Sequence, residues 1–185
     1  MSSVPKPAWI ASRHSWIELN LNSKRPAAIL ILGLFCGALQ VQAATPPPAA
    51  IAPLQLSLAI KAAKAALAAC VAEGLTVTVT VTDREGVERV VLLGDGTGAL
   101  SVITSRRKAY TAAALGMTTE QLVKNLNGSN DLSMIDPELV ALAGGIPILR
   151  HNVVIAALGV GGADRGDADV VCAQAGIDAI KGELD

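Results

Sequence analysis

Six consecutive residues, 106–111, carry the densest group of side chains that could bind a ligand. Three cations precede the only tyrosine of the chain. In a helix, Arg107 and Thr111 lie one turn apart on the same face, and Arg106 and Tyr110 form the adjacent stripe. Such a surface could hold a planar apolar ligand whose carboxylates pair with the arginines while Tyr110 or Thr111 approaches its centre. The alternative is a solvated basic turn beside one buried tyrosine, and spacing alone favours that alternative.

His151 is the other candidate ligand, for a metal or for haem. It lies at the tip of a predicted hairpin, where exposed polar residues are ordinary. The sequence contains no pair of histidines at metal-ligand spacing and no Cys-x-x-Cys motif, so we predict no metal site.

Two glycine-rich loops could bind anions. Residues 94–98 lack the Lys-Ser or Lys-Thr pair that follows a nucleotide-binding loop, and a turn is the favoured interpretation. Residues 159–164 precede the last predicted helix, where backbone N–H groups can hold an anion; a tight strand-to-helix turn is the alternative that we favour. Asp164, Asp167 and Asp169 do not have the spacing of a calcium-binding loop. We interpret them as solvated loop and N-cap carboxylates.

The elements that must position these residues follow from periodicity and from turn residues. The predicted elements are a helix over 56–73, strands over 76–82 and 87–93, helices over 101–115 and 118–127, strands over 146–150 and 153–159, and a helix over 168–181. Two hairpins cannot form a parallel doubly wound sheet. They can pair into one antiparallel sheet with flanking helices, which is an α+β fold.

Two of these elements allow more detailed predictions. Ser57 is predicted to cap the first helix and Gly74 to end it. The strict alternation of threonine and valine over 76–82 predicts a strand with one buried face. The larger apolar residues of the first helix lie roughly on one face, and they are Leu56, Ile60, Leu67 and Val71.

Residues 1–43 have the three parts of a signal peptide. Lys24 and Arg25 form a basic stretch, an apolar run occupies 27–39, and small residues at 41–43 suit a signal peptidase that cuts after Ala43, give or take a residue. A transmembrane anchor is the alternative, but spanning needs about 20 apolar residues. We therefore predict a secreted or periplasmic protein, in which a Pro/Ala-rich spacer (44–55) precedes a single domain (56–185).

Removal of the leader changes the charge of the protein. The leader holds four of the 15 basic residues and one of the 16 acidic residues, so the predicted mature protein has 11 basic and 15 acidic residues and a net charge of −4. An acidic domain without a basic run argues against nucleic acid and membrane as partners. Its core must be built from Ala, Val, Leu and Ile, which suits close backbone packing and an oligomer.

Cys70 and Cys172 remain after processing. An oxidising compartment would permit a disulfide between them. The sequence cannot show whether their backbones come close enough, so the pairing is left open.

An ordered set of motifs across 56–180 resembles the GlcG/HbpS family. The motifs are Val-Thr-Val-Thr-Asp-Arg-Glu-Gly at 79–86, Arg-Lys-Ala-Tyr-Thr-Ala at 107–112, Gly-Gly-Ile-Pro-Ile at 144–148, Ala-Ala-Leu-Gly-Val-Gly-Gly at 156–162 and Asp-Val-Val-Cys-Ala-Gln-Ala-Gly at 169–176. The resemblance implies a profilin-like or PAS-like antiparallel sheet with flanking helices, and homo-oligomers. It further implies that exported members bind haem as a cofactor, degrade it with peroxide, or report redox or haem status to a membrane sensor kinase.

The resemblance also implies a haem site on the predicted helix that contains residues 108–112. Thr111 would face the iron, Tyr110 is the second candidate ligand, and Arg107 would pair with a propionate. A threonine hydroxyl is a weaker iron ligand than His, Cys or Tyr, which suits a protein that exchanges haem.

Three functional hypotheses follow. The first is an exported haem-binding protein, with haem degradation or haem sensing as its role. The second is an enzyme or binding protein for a small glycolate-like organic acid, which would use the anion-binding loops and the 106–108 cations. The third is a non-catalytic oligomeric partner of a membrane sensor. Whether the protein is an enzyme is left open.

Overall fold

The structure, a computed structural model, describes residues 51–126, 132 and 135–184. The predicted signal peptide and the spacer up to residue 50 lie outside these ranges. Within the described ranges no helix combines the length and the apolar character needed to cross a membrane. The elements are α1 (Leu56–Ala72), β1 (Thr78–Asp83), β2 (Glu88–Leu93), α2 (Ala99–Leu115), α3 (Thr119–Asn125), β3 (Gly145–Arg150), β4 (Val153–Gly161), α4 (Gly166–Asp178) and a 3-10 turn at Lys181–Glu183.

The four strands form one antiparallel sheet in the order β2-β1-β4-β3. Each hairpin of the sequence prediction is present, and the two hairpins join through β1 and β4, where Thr80 pairs with Gly159. The second hairpin turns at His151 and Asn152, which both have positive φ (49° and 62°), as a tight two-residue turn requires. The predicted α+β architecture is therefore confirmed.

Helices α1 and α4 cover one face of the sheet. Small side chains make the contact: Ala62, Ala63 and Ala66 are fully buried, and a Cβ at Gly176 of α4 would lie 2.7 Å from the Ala62 carbonyl oxygen. The helices thus approach each other closely because neither carries a bulky side chain at the contact.

The predicted apolar face of α1 is not the buried one. Leu56 is 49% exposed, Ile60 37% and Val71 59%. Alanines occupy the narrow contact with α4, so these three larger residues are exposed, whereas Leu67 is partly buried against the core. The predicted cap is also wrong: the helix begins after Gln55, and no side chain caps it. Its predicted end is confirmed, since a Schellman pair of hydrogen bonds closes it at Gly74, where φ is +73°.

A disulfide joins the two helices of this layer. Cys70 near the end of α1 and Cys172 in α4 are buried and lie 102 positions apart in sequence, with 5.4 Å between their Cα atoms. The pairing that the sequence left open is therefore present in the fold.

Helix α2 covers the opposite face, and this face is also buried. The valines of β1 point toward α1 and α4, while Thr78 and Thr80 point toward α2 and hydrogen-bond to Ser101 and Ser105 at 2.8 and 2.9 Å. The prediction that β1 has one buried face is wrong. Both faces of β1 are buried: the valines pack in an apolar layer, and the threonines face a polar layer. The threonines can be buried because Thr78 and Thr80 hydrogen-bond to serines of α2.

Glycines on β4 bring α2 close to the sheet. A Cβ at Gly159 would lie 2.2 Å from the Ser105 carbonyl oxygen, and a Cβ at Gly161 would lie 2.4 Å from Thr104 Oγ1. The backbone of α2 therefore rests almost directly on β4, and this contact fixes where its side chains point.

Candidate functional site

The three predicted site residues of α2 all bind one short segment, residues 136–140, which we call the strap. Arg107 makes the most contacts with it. Its Nη2 donates to the carbonyl oxygens of Pro137 and Leu139 at 2.5 and 3.0 Å, and its Nε donates to that of Glu138 at 3.2 Å. The guanidinium thus grips three successive carbonyl groups of the strap.

Tyr110 binds the start of the strap. Its hydroxyl donates to Asp136 Oδ2 at 2.6 Å. This hydrogen bond raises the pKa of Tyr110, with desolvation adding to the effect, and it lowers the pKa of Asp136. The ring lies over Gly86 in the β1–β2 turn, where a Cβ would come within 2.5 Å of Tyr110 Cδ2. Gly86 has φ of +84°, so both the space and the backbone conformation favour glycine there.

Thr111 binds the end of the strap. It is only 1% exposed, and its Oγ1 accepts the Val140 N–H at 2.9 Å. The iron-facing role implied for Thr111 stays a prediction, and with the strap in this position the hydroxyl is covered.

Lys108 points to the other side of α2. Its Nζ lies 2.6 Å from Asp169 Oδ2 of α4, and both side chains are buried, with 5% and 2% exposed. Burial raises the pKa of Asp169, and the neighbouring Lys108 partly offsets that rise. A Cβ at Gly144 would lie 2.7 Å from the Asp169 Cβ and 3.0 Å from Lys108 Nζ, so this glycine leaves room for the pair.

The interpretation of all three aspartates as solvated is therefore wrong for Asp169, which is a buried ion-pair partner. It holds for Asp164 and Asp167, which are exposed. Asp167 pairs with Arg165, and this pairing lowers its pKa. Arg165 rather than an aspartate precedes α4, and its side chain makes no capping hydrogen bond.

An open cavity of about 810 Å³ adjoins the buried ion pair. Both glycine-rich loops of the sequence analysis reach it, and so do the first residues of α2 and α4. Lys108 and Asp169 lie at its wall with the hydroxyls of Ser101 and Thr104. Residues 141–143, which continue the strap, form another part of the wall. The strap, which binds the three predicted site residues, is therefore continuous with one wall of the cavity.

His151 stays apart from this region. It is exposed at the β3–β4 turn. Across residues 51–126 and 135–184, no group of three or more His, Cys, Asp or Glu side chains is placed to hold a metal ion.

Sequence reasoning did not identify Asp136 or the strap. Asp136 lies in a stretch without periodicity, and nothing local marks it as a partner of Tyr110, which is 26 residues away. Lys108 and Asp169 both lie in motifs that the resemblance included, but their pairing across 61 residues is visible only in the fold.

Comparison with known proteins places the chain in a family. The family described as "Haem degrading protein HbpS-like" has a sequence model that matches residues 54–178. The chain belongs to this family, as the motifs predicted. No curated protein sequence matches the chain.

Solved structures agree with this assignment. A double mutant of Streptomyces reticuli HbpS is 36% identical, with a TM-score of 0.68, over 77% of this chain and 97% of that chain. The structure of a complex of PduOC with haem is 25% identical, with a TM-score of 0.64, over 70% of this chain and 96% of that chain. Klebsiella pneumoniae protein ORFY, at 22% identity and a TM-score of 0.68 over 75% and 98% of the two chains, shares the fold.

Proposed function

We propose that this chain is an exported haem-binding protein that holds haem against α2 through Arg107, Tyr110 and Thr111. The observation that carries the proposal is the common direction of these side chains. A guanidinium, a phenol and a hydroxyl from little more than one turn of α2 all bind the strap. The family description and the haem complex of PduOC support the same ligand.

The residue types fit haem in part. Arg107 is suited to a propionate, because a guanidinium forms paired hydrogen bonds with a carboxylate. Thr111 and Tyr110 offer oxygen ligands, of which the phenol is the stronger. With the strap closed, all three side chains are engaged. Among the residues that the structure describes, no His, Cys, Met or Tyr lines the neighbouring cavity, so α2 offers the better ligands.

Weak ligation suits exchange or degradation of haem. Bound haem would supply the iron chemistry that peroxide-dependent degradation requires. Within this chain, Arg107 would orient the macrocycle through its propionate, and Thr111 would set which face meets the helix. Haem degradation and haem sensing are both compatible with this arrangement. Loss of the haem absorption band on adding peroxide, compared with free hemin, separates the first role from the second.

A hemin titration followed by the Soret band tests the proposal. The wild-type protein should give a saturable band. Thr111→Ala should weaken binding, and Thr111→Ser should restore it because the hydroxyl returns. Thr104→Ala is the matched control, since Thr104 lies on the same helix but lines the cavity. Absence of a band in the wild type overturns the proposal, and a loss confined to Thr104→Ala would move the site to the cavity.

Export is part of the proposal, and two features support it. Residues 24–43 have the pattern of a cleavable leader. The buried Cys70–Cys172 disulfide suits an oxidising compartment. Mass spectrometry of protein from the periplasm or medium should find a chain that begins near residue 44. A chain that keeps residues 1–43 and accumulates in the cytoplasm would contradict export.

Self-association is proposed as well. The outer side of α1 and α4 exposes several large apolar side chains, among them Leu56, Val71 and Val171, and such surfaces are often protein interfaces. Sedimentation of the wild type should show an oligomer, and Val71→Glu should weaken it. A monomeric wild type would contradict this. Co-purification with the extracellular domain of a membrane sensor tests the proposed sensor partner.

A second candidate function, binding of a small glycolate-like acid, has its own support. The two glycine-rich loops, the first residues of two helices and Lys108 meet at one cavity. Backbone N–H groups at helix starts favour a carboxylate, whereas the ammonium group of Lys108 is already paired with Asp169. Glycolate should then raise the melting temperature without haem, and Gly98→Val at the cavity rim should reduce that rise. No stabilisation by glycolate would exclude this function.

A further inference from the structure

We infer that the strap competes with haem for the same three side chains, so that haem binds only when residues 136–140 leave α2. This inference rests on the proposed function. It adds an autoinhibitory contact to that function.

The strap engages all three proposed haem contacts at once. The guanidinium of Arg107 donates to three carbonyl oxygens of the strap. The phenol of Tyr110 donates to Asp136. The hydroxyl of Thr111 accepts the Val140 N–H. A propionate on Arg107 would have to replace those carbonyls. A haem that approaches the Thr111 hydroxyl would have to displace the Val140 N–H that now binds it. Haem and the closed strap therefore exclude each other.

The strap is attached to a small apolar cluster and not to the main core. Leu139 and Ala141 pack with Leu122 and Leu132, and the partly buried ring of Tyr110 packs against this cluster. The main core, formed by the sheet with α1 and α4, is a separate cluster. Segments with few buried apolar contacts open locally at lower free energy than the core does. The strap can thus open while the sheet stays folded.

The negative charge of Asp136 also opposes haem binding while the strap is closed. Asp136 carries a carboxylate whose lowered pKa keeps it ionised next to Tyr110, and Arg107 is nearby. Haem propionates would be attracted to Arg107 and repelled by Asp136. The carboxylate therefore favours the closed strap, and haem would disfavour it. Opening would also move residues 141–143, which form part of the cavity wall.

Two substitutions at Asp136 test the competition. Asp136→Ala removes the partner of Tyr110 and the carboxylate, so the strap opens more readily. The apparent affinity for hemin should rise about fivefold to tenfold, since a larger fraction of the protein is competent to bind. Asp136→Asn keeps an acceptor for the phenol and should give a smaller rise. Asp178→Ala, on α4 across the sheet, makes the same charge change and should have no effect.

A readout without haem shows that the strap contact has changed. Tyr110 is the only tyrosine, so titration of the full chain by tyrosinate absorbance reports this residue alone. Its pKa should fall toward the ordinary tyrosine value in Asp136→Ala. If that fall occurs and hemin binds no more tightly than to the wild type, the competition is overturned. If no variant binds hemin although the strap has loosened, both the proposed function and the competition fail.

Discussion

The two faces of the sheet are covered by different kinds of contact. On the α1/α4 face, apolar side chains form the main core, and a disulfide joins the helices. On the α2 face, threonine–serine hydrogen bonds and the strap make the contacts, and a buried ion pair links α2 to α4. Apolar packing and a disulfide stabilise the fold, but they present no polar groups that could recognise a ligand. Polar contacts can be exchanged for those of a ligand, so we locate function on the α2 face.

Among the substitutions considered, loss of the buried ion pair should lower the free energy of unfolding most. Lys108→Met leaves the carboxylate of Asp169 buried without its cationic partner, and the free energy of unfolding should fall by roughly 3–5 kcal/mol. Lys124→Met is the matched control, because Lys124 pairs with Glu120 on the surface of α3, and it should cost about 0–1 kcal/mol. Urea unfolding measures both. Equal losses would show that the contact with Asp169 is solvated, against the burial described above.

The disulfide on the opposite face should have the next largest effect. Replacing Cys70 and Cys172 by alanine opens a loop of 102 residues in sequence, and unfolding should become easier by about 2–4 kcal/mol. Wild-type protein in reductant should behave like the variant. The variant itself should not respond to reductant. A wild type that is equally stable in reductant would remove the disulfide from the account of this face.

Two buried threonines on the α2 face give a sharper comparison. Thr111→Val leaves the Val140 N–H without its acceptor and should cost about 1–2 kcal/mol. Thr82 Oγ1 is buried and has no hydrogen-bond partner among the described residues, so Thr82→Val should be neutral or stabilising. Thermal unfolding of the two variants measures this difference in stability. Equal effects would mean that the contact between Thr111 and the strap contributes nothing.

The smallest expected effect is the pH dependence of the stability that the contact between Asp136 and Tyr110 contributes. The pKa of Asp136 is lowered by Tyr110, so its contribution is complete above the ordinary carboxyl pKa of about 3.9 and disappears as pH falls through the lowered value. The pKa of Tyr110 is raised, so its contribution is complete below about 10 and disappears as pH rises through the raised value.

The difference in unfolding free energy between the wild type and Asp136→Asn checks this pH dependence. It should be constant near neutral pH and shrink toward acid. A difference that grows toward acid would show that the ionised carboxylate is not the group that holds the strap.

The sequence predicted the architecture because its signals are local. Alternation in β1, the turn between the predicted strands 76–82 and 87–93, and the hairpin tip at His151 are each encoded within a few residues, and each is present. The predicted apolar face of α1 was not the buried one, because the prediction relied on hydrophobicity, which ranks leucine above alanine. Burial there depends on how closely α4 approaches, which is a property of the fold.

The site was predicted less completely, for a related reason. The residues of α2 were identified, but their partners lie 26 to 61 residues away, and no local pattern joins Tyr110 to Asp136 or Lys108 to Asp169. The strap has neither a helical nor a strand period, so its role follows only from the hydrogen bonds that it makes.

Hydrogen exchange of the strap, with and without hemin, tests the central claim most directly. The Val140 amide donates to Thr111, so in the free protein it should exchange slowly compared with an open segment. Saturating hemin should make residues 136–140 exchange faster, while the amides of β1 and β4 stay unchanged. Unchanged or slower exchange in the strap, with the Soret band showing that haem is bound, would contradict the account.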